Sequence, residues 1–138
     1  MKQITREWLT LAHKDLVSCE KILGDSFLTS IVSFHAQQAV EKSFKAVIDE
    51  FEIGFIKTHN LLNLYDRVKG DLGFALDLEV LNTLSELYIS TRYPGELGLL
   101  PDGDPGLEDA RLFYEFAQDT FEKIKGRLEQ TADVSPGD

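Results

Sequence analysis

Three histidines, His13, His35 and His59, and one cysteine, Cys19, are the side chains in this sequence best suited to metal or nucleophile chemistry. Carboxylate-bridged di-metal sites in helical proteins need Glu-x-x-His pairs projecting from facing helices, and none of the three histidines has a Glu three residues earlier. Single, scattered His and Cys residues do not make a tetrahedral zinc set either. The stretch Asp102-Gly103-Asp104-Pro105-Gly106 opens like a calcium loop. It then puts Gly106 at the third oxygen position, Leu107 at the turn glycine and Phe113 at the closing Glu, so it fails as one. No glycine-rich phosphate loop is present. Cys19 falls on an apolar helix face, where a thiol is inert, and Ser33 and His35, two apart on a helix, face different ways. The sequence therefore predicts no catalytic residue, no metal and no cofactor.

One polar constellation remains. Within Phe34–Ala46, Gln38, Lys42 and Lys45 recur at helical spacing, and Gln37, Glu41 and Lys45 form the adjacent row. Two arrangements fit that spacing. The row is either a solvated face steadied by the Glu41–Lys45 pair, or the lining of a groove whose amides and ammonium groups grip an anion.

Apolar periodicity shows what must position these residues. Trp8, Ala12, Leu16, Cys19 and Leu23 mark a helix over 5–23, with Thr5 as its N-cap and Gly24 as its stop. A second helix, from about Phe27 to Phe51 and capped by Asp25 or Ser26, carries apolar residues on more than one stripe, so it belongs at the centre. A short helix over Leu61–Val68 starts at Thr58 or Asn60 and exits through Gly70 and Gly73. Another spans 77–92, because Pro94 disfavours helix at Tyr93. Gly95 to Gly106 reads as a loop. Asp104 and Pro105 then open a last helix to about Leu128, and 130–138 forms a frayed tail. No window alternates with period two for long enough to predict a strand. The expected fold is all-α: an up-and-down bundle of four main helices plus one short helix, in a single domain over 1–138 with its core at about 5–128.

The net charge of −10 is one-sided. Residues 1–69 hold nine Lys/Arg and nine Asp/Glu, whereas residues 70–138 hold five and fifteen. The acidic half repels a phosphate backbone, so broad nucleic-acid binding is not expected, and an anionic ligand should meet the first half. A lone cysteine, the lack of an apolar leader and the lack of any 20-residue apolar run predict a cytoplasmic protein without a membrane span.

Four elements together resemble the HEPN domain family: Gln37-Gln38-Ala39-Val40-Glu41-Lys42 followed by Lys45-Ala46, the turn Thr58-His59-Asn60-Leu61, Arg92-Tyr93-Pro94, and Trp8 with Lys14-Asp15-Leu16. The likeness spans residues 5–128. It implies a bundle of four main helices, a homodimer, association with nucleotides, and a small nucleotidyltransferase partner, in some cases as a toxin–antitoxin pair. Some branches are metal-independent ribonucleases with an Arg-x(4–6)-His motif. Here Arg92 is followed by Tyr93-Pro94-Gly95-Glu96-Leu97-Gly98-Leu99, without a histidine.

The expectation is thus a non-catalytic binding or accessory subunit with a nucleotide or RNA ligand. Its candidate ligand-binding residues are Gln37, Gln38, Lys42, Lys45, His59, Arg92 and Tyr93. A ribonuclease toxin built on Arg92 and His59, and a purely structural dimer, are the alternatives.

Overall fold

The computed structural model describes residues 1–92 and 104–133, and over these the apolar stripes become five helices with no strand. They are α1 (Gln3–Ile22), α2 (Thr29–Glu50), α3 (Leu61–Leu72), α4 (Leu78–Arg92) and α5 (Leu107–Asp133). Helix α2 packs against all four others, most extensively α1 and α5. It can do so because Ala36, Ala39, Ser43 and Ala46 keep its surface low while Val32, Val40, Phe44 and Val47 fill the core. No described helix is long and apolar enough to cross a membrane.

Helices α1 and α2 form an antiparallel hairpin whose register is visible in its cross-links. The Thr5 hydroxyl donates to Glu50 at 2.9 Å, and Trp8 Nε1 donates to Asp49. Further along, Lys42 donates to Asp15 at 2.7 Å, and the Cys19 thiol reaches the Val32 carbonyl at 3.4 Å. Burial pushes the Cys19 thiol up to about 12, helped by the nearby Asp15 and Glu20 charges, so the thiolate is disfavoured.

Several helix ends differ from the sequence expectation. Helix α1 starts two residues earlier, and Thr5 is not its cap but a buried residue of its first turn. The amide of Lys2, the residue before α1, donates instead to Glu50 of α2, which places a carboxylate at the positive end of the α1 dipole. Burial raises the Glu50 carboxyl, but the bonds from the Lys2 amide and the Thr5 hydroxyl outweigh it and hold the group below its ordinary value.

Helix α2 starts at Thr29 because Asp25 spends its side chain on a turn, accepting from the Phe27 amide. Helix α3 runs past Gly70 to Leu72, ending at Gly73 with φ 80°. Leu72 completes the buried stripe of Leu61, Leu64 and Val68, and burying it outweighs the roughly 1 kcal/mol that Gly70 costs a helix. Asp77 caps α4 by accepting from the Glu79 and Val80 amides. Helix α5 opens at Leu107 rather than Asp104, with Asp109 accepting from the Gly106 amide, and continues beyond Leu128 to Asp133. The predicted stop at Pro94, most of the Gly95–Gly106 loop and the end of the tail lie outside the described residues.

Asn60 is the α3 cap, since its Oδ1 accepts from the Leu62 and Asn63 amides at 2.9 and 3.1 Å. Asn60→Ala is expected to cost about 1 kcal/mol. A chemical denaturation curve indistinguishable from wild type would contradict that role.

Candidate functional site

The polar row of α2 is inward-facing. Gln37 is completely buried and Glu41 is 3% exposed, so the solvated-face arrangement does not hold. Glu41 is the hub. Its carboxylate accepts from Gln37 Nε2 at 3.0 Å and from Lys45 Nζ at 2.9 Å, and His59 Nδ1 lies at 3.1 Å. A carboxylate paired to an ammonium only accepts, so Nδ1 carries the proton and Nε2 is directed away from the dyad. Gln37 also donates to the His59 carbonyl at 3.3 Å, and Gln38 donates to Gln37 Oε1 at 2.7 Å. Gln37 therefore ties the 51–60 loop to α2, and Gln38 holds the Gln37 amide in place.

A second buried carboxylate, Asp15 of α1, bridges Lys42 Nζ at 2.7 Å and His35 Nδ1 at 2.9 Å. The two lysines that sequence spacing puts on one turn are thus each claimed by a different acid. Asp15 lies two turns of α1 beyond Trp8, about 10 Å along the axis. Lys42 therefore belongs to the middle of the α1–α2 seam and Lys45 to its end.

At that end the hairpin and the 51–60 loop enclose a cavity of about 600 Å³. Trp8 and Lys45 form one side, with the Lys45 ammonium 5.2 Å from the indole centroid and Trp8 Nε1 bonded to Asp49. Phe55, Lys57 and His59 contribute from the loop. Two left-handed residues shape the loop, Glu52 at φ 52° and Gly54 at φ 110°. Arg67 braces it through the Ile53 carbonyl at 3.4 Å. Phe55 is 88% exposed, a large aromatic held at the mouth. Beside the cavity, the His59 ring lies 5.3 Å from Tyr88 of α4, which also stacks on Phe34 at 5.8 Å.

Of the residues expected from sequence, Lys45 and His59 line this cavity, and Gln37 and Gln38 stand behind them. Lys42 faces Asp15 instead. Arg92 closes α4 one turn beyond Tyr88, while its side chain and Tyr93 lie outside what is described. Sequence reasoning missed Asp49, Phe55 and Lys57 as residues of the cavity, and Asp15 with His35 as the cluster that claims Lys42. Asp15 left a usable signal: an acid seven residues after Trp8, among Ala12, Leu16 and Cys19, is a polar group on a buried stripe that requires a partner.

An all-α bundle with a long central helix and a T-H-N-L turn against its polar row defines the class. Residues 5–126 match the HEPN domain family, and the chain belongs to it. Two solved structures are similar. TT1696 from Thermus thermophilus is 26% identical, with 91% of this chain and 99% of that one covered, at a TM-score of 0.75. ST0689, described as an archaeal HEPN homologue, is 22% identical, with 93% and 99% covered and a TM-score of 0.69, a likeness in fold alone. No curated protein matches the chain.

Proposed function

We propose that this HEPN protein is a non-catalytic, nucleotide-binding accessory subunit, working as a homodimer beside a nucleotidyltransferase-type partner of the toxin–antitoxin kind. The observation that carries the ligand is the cavity at the end of the α1–α2 seam. Its volume lies within the range of small-molecule sites. It combines apolar walls from Ile4, Ile48 and Ile56 with an exposed aromatic, Phe55, and cations at Lys45 and Lys57. A base seeks an aromatic face and a phosphate seeks an ammonium. One face of Trp8 is already taken by Lys45, so Phe55 is the platform for the base.

Calorimetric titration of the purified protein with nucleotides tests this. Phe55→Ala, at an exposed position, is expected to leave the fold intact and weaken binding at least about tenfold, the worth of one stacked base. Unchanged affinity would remove the ligand from this cavity, and no binding of any nucleotide would reject the reading.

One observation favours a second reading, a ribonuclease. Glu41 orients His59 with Nε2 outward, and Tyr88, which His59 touches, is one helical turn from Arg92. Incubating the same preparation with a pool of RNAs separates the two. The accessory-subunit reading expects intact RNA, and cleavage lost in His59→Ala would favour the enzyme.

A further inference from the structure

Among the described residues that line the cavity, the lysines are already committed, with one exception. The Lys2 ammonium lies 3.0 Å from Glu52 and donates to the Asp49 carbonyl at 3.1 Å. The Lys45 ammonium is held by Glu41 at 2.9 Å and rests over the Trp8 ring. Among the described residues Lys57 makes no ion pair. Asp49 and Glu52 lie on the wall of the same volume, Glu41 stands behind it, and Glu50 sits at the N-terminal end of α1, near the N-terminal ammonium. Of these, Glu52 is the most open, with its side chain 81% exposed at the rim.

That charge count limits what an anion can gain here. One phosphate can sit between the Lys57 ammonium and the outward edge of His59. A chain of phosphates finds no second uncommitted lysine on the described wall of the cavity, and it approaches acids that repel it. We infer that the cavity takes a nucleotide bearing a single phosphate and discriminates against the corresponding triphosphate, a conclusion that rests on the nucleotide-binding reading above. The discriminating residue is Glu52, because it both repels additional phosphates and occupies Lys2, the cation that could otherwise hold them.

The test titrates the wild-type protein with each nucleoside 5′-monophosphate, the matching triphosphate and the uncharged nucleoside, in buffer free of divalent cations. The preferred monophosphate is expected to bind at least roughly tenfold more tightly than its triphosphate. Lys57→Ala should reduce monophosphate affinity by about tenfold, the scale of one charge-assisted contact, and leave nucleoside affinity unchanged. Glu52→Gln keeps the side-chain shape while releasing Lys2, so it should raise triphosphate affinity more than monophosphate affinity and narrow the gap.

Both variants alter exposed side chains, and unchanged circular dichroism and melting would establish that each is folded. A triphosphate that binds as well as the monophosphate overturns the inference while nucleotide binding stands. A nucleoside that binds as well as the monophosphate does the same, because the phosphate would then contribute nothing. Failure of all three ligand types to bind removes the nucleotide reading and this inference together.

Discussion

Glu41→Ala is expected to lower the free energy of unfolding by about 3 kcal/mol, seen as an earlier midpoint in urea with an unchanged slope. The carboxylate is nearly inaccessible to solvent and binds three donors from two parts of the chain, Gln37 and Lys45 of α2 and His59 of the loop. Removing the acceptor leaves the buried Gln37 amide with only its longer contact to the His59 carbonyl, and an unmet buried donor costs about 1–3 kcal/mol. The Lys45 ammonium is partly exposed and retains some hydration, which keeps the loss below the upper end seen for broken buried pairs, about 5 kcal/mol. Glu41→Gln keeps the volume and one acceptor oxygen, so it should cost less. A destabilisation by Glu41→Ala below about 1 kcal/mol would mean that the hub is not structural.

Phe44→Ala should cost more still, about 4 kcal/mol. Phe44 is among the largest fully buried side chains, on the helix that every other helix touches. Its ring packs 6.1 Å from that of Tyr65 on α3. The loss combines the transfer of an aromatic ring with a cavity that helices packed on several sides of α2 cannot easily close. For a domain of ordinary stability, about 5–15 kcal/mol, this is a large part of the total, and the melting temperature should fall by on the order of 15 °C. Phe44→Leu, which refills most of the space, should recover much of it. A melting temperature within about 3 °C of wild type for Phe44→Ala would place the core elsewhere.

The sequence was informative wherever a feature is local. The several apolar stripes of α2 told of a helix buried on more than one side, and α4 falls within one residue of its expected span. Asn60, one of two candidate caps, acts through amides two and three residues away, so its role is written in the adjacent chain. What escaped depends on partners far along the chain. The α1 cap is Glu50, 48 residues from Lys2, and no window around Thr5 contains it. Lys42 and Lys45 are alike in sequence, yet Asp15 of another helix captures the first. Glu41, which captures the second, was visible as a neighbour four residues away, but its burial was not. The cavity was illegible for the same reason. Its loop wall requires a left-handed backbone at Glu52, an uncommon state for a residue other than glycine, and tertiary contacts must maintain it.

The cross-links between α1 and α2 also govern how these two helices can move. Sliding one past the other by a single turn, about 5.4 Å, would leave the buried Asp15 charge without Lys42 and the Glu50 carboxylate without the Thr5 hydroxyl. Translation along the hairpin is therefore blocked at more than one depth, much as pins through two plates prevent shear. The proposed nucleotide would meet jaws already set to their gap, so little of its binding energy would be diverted into adjusting them.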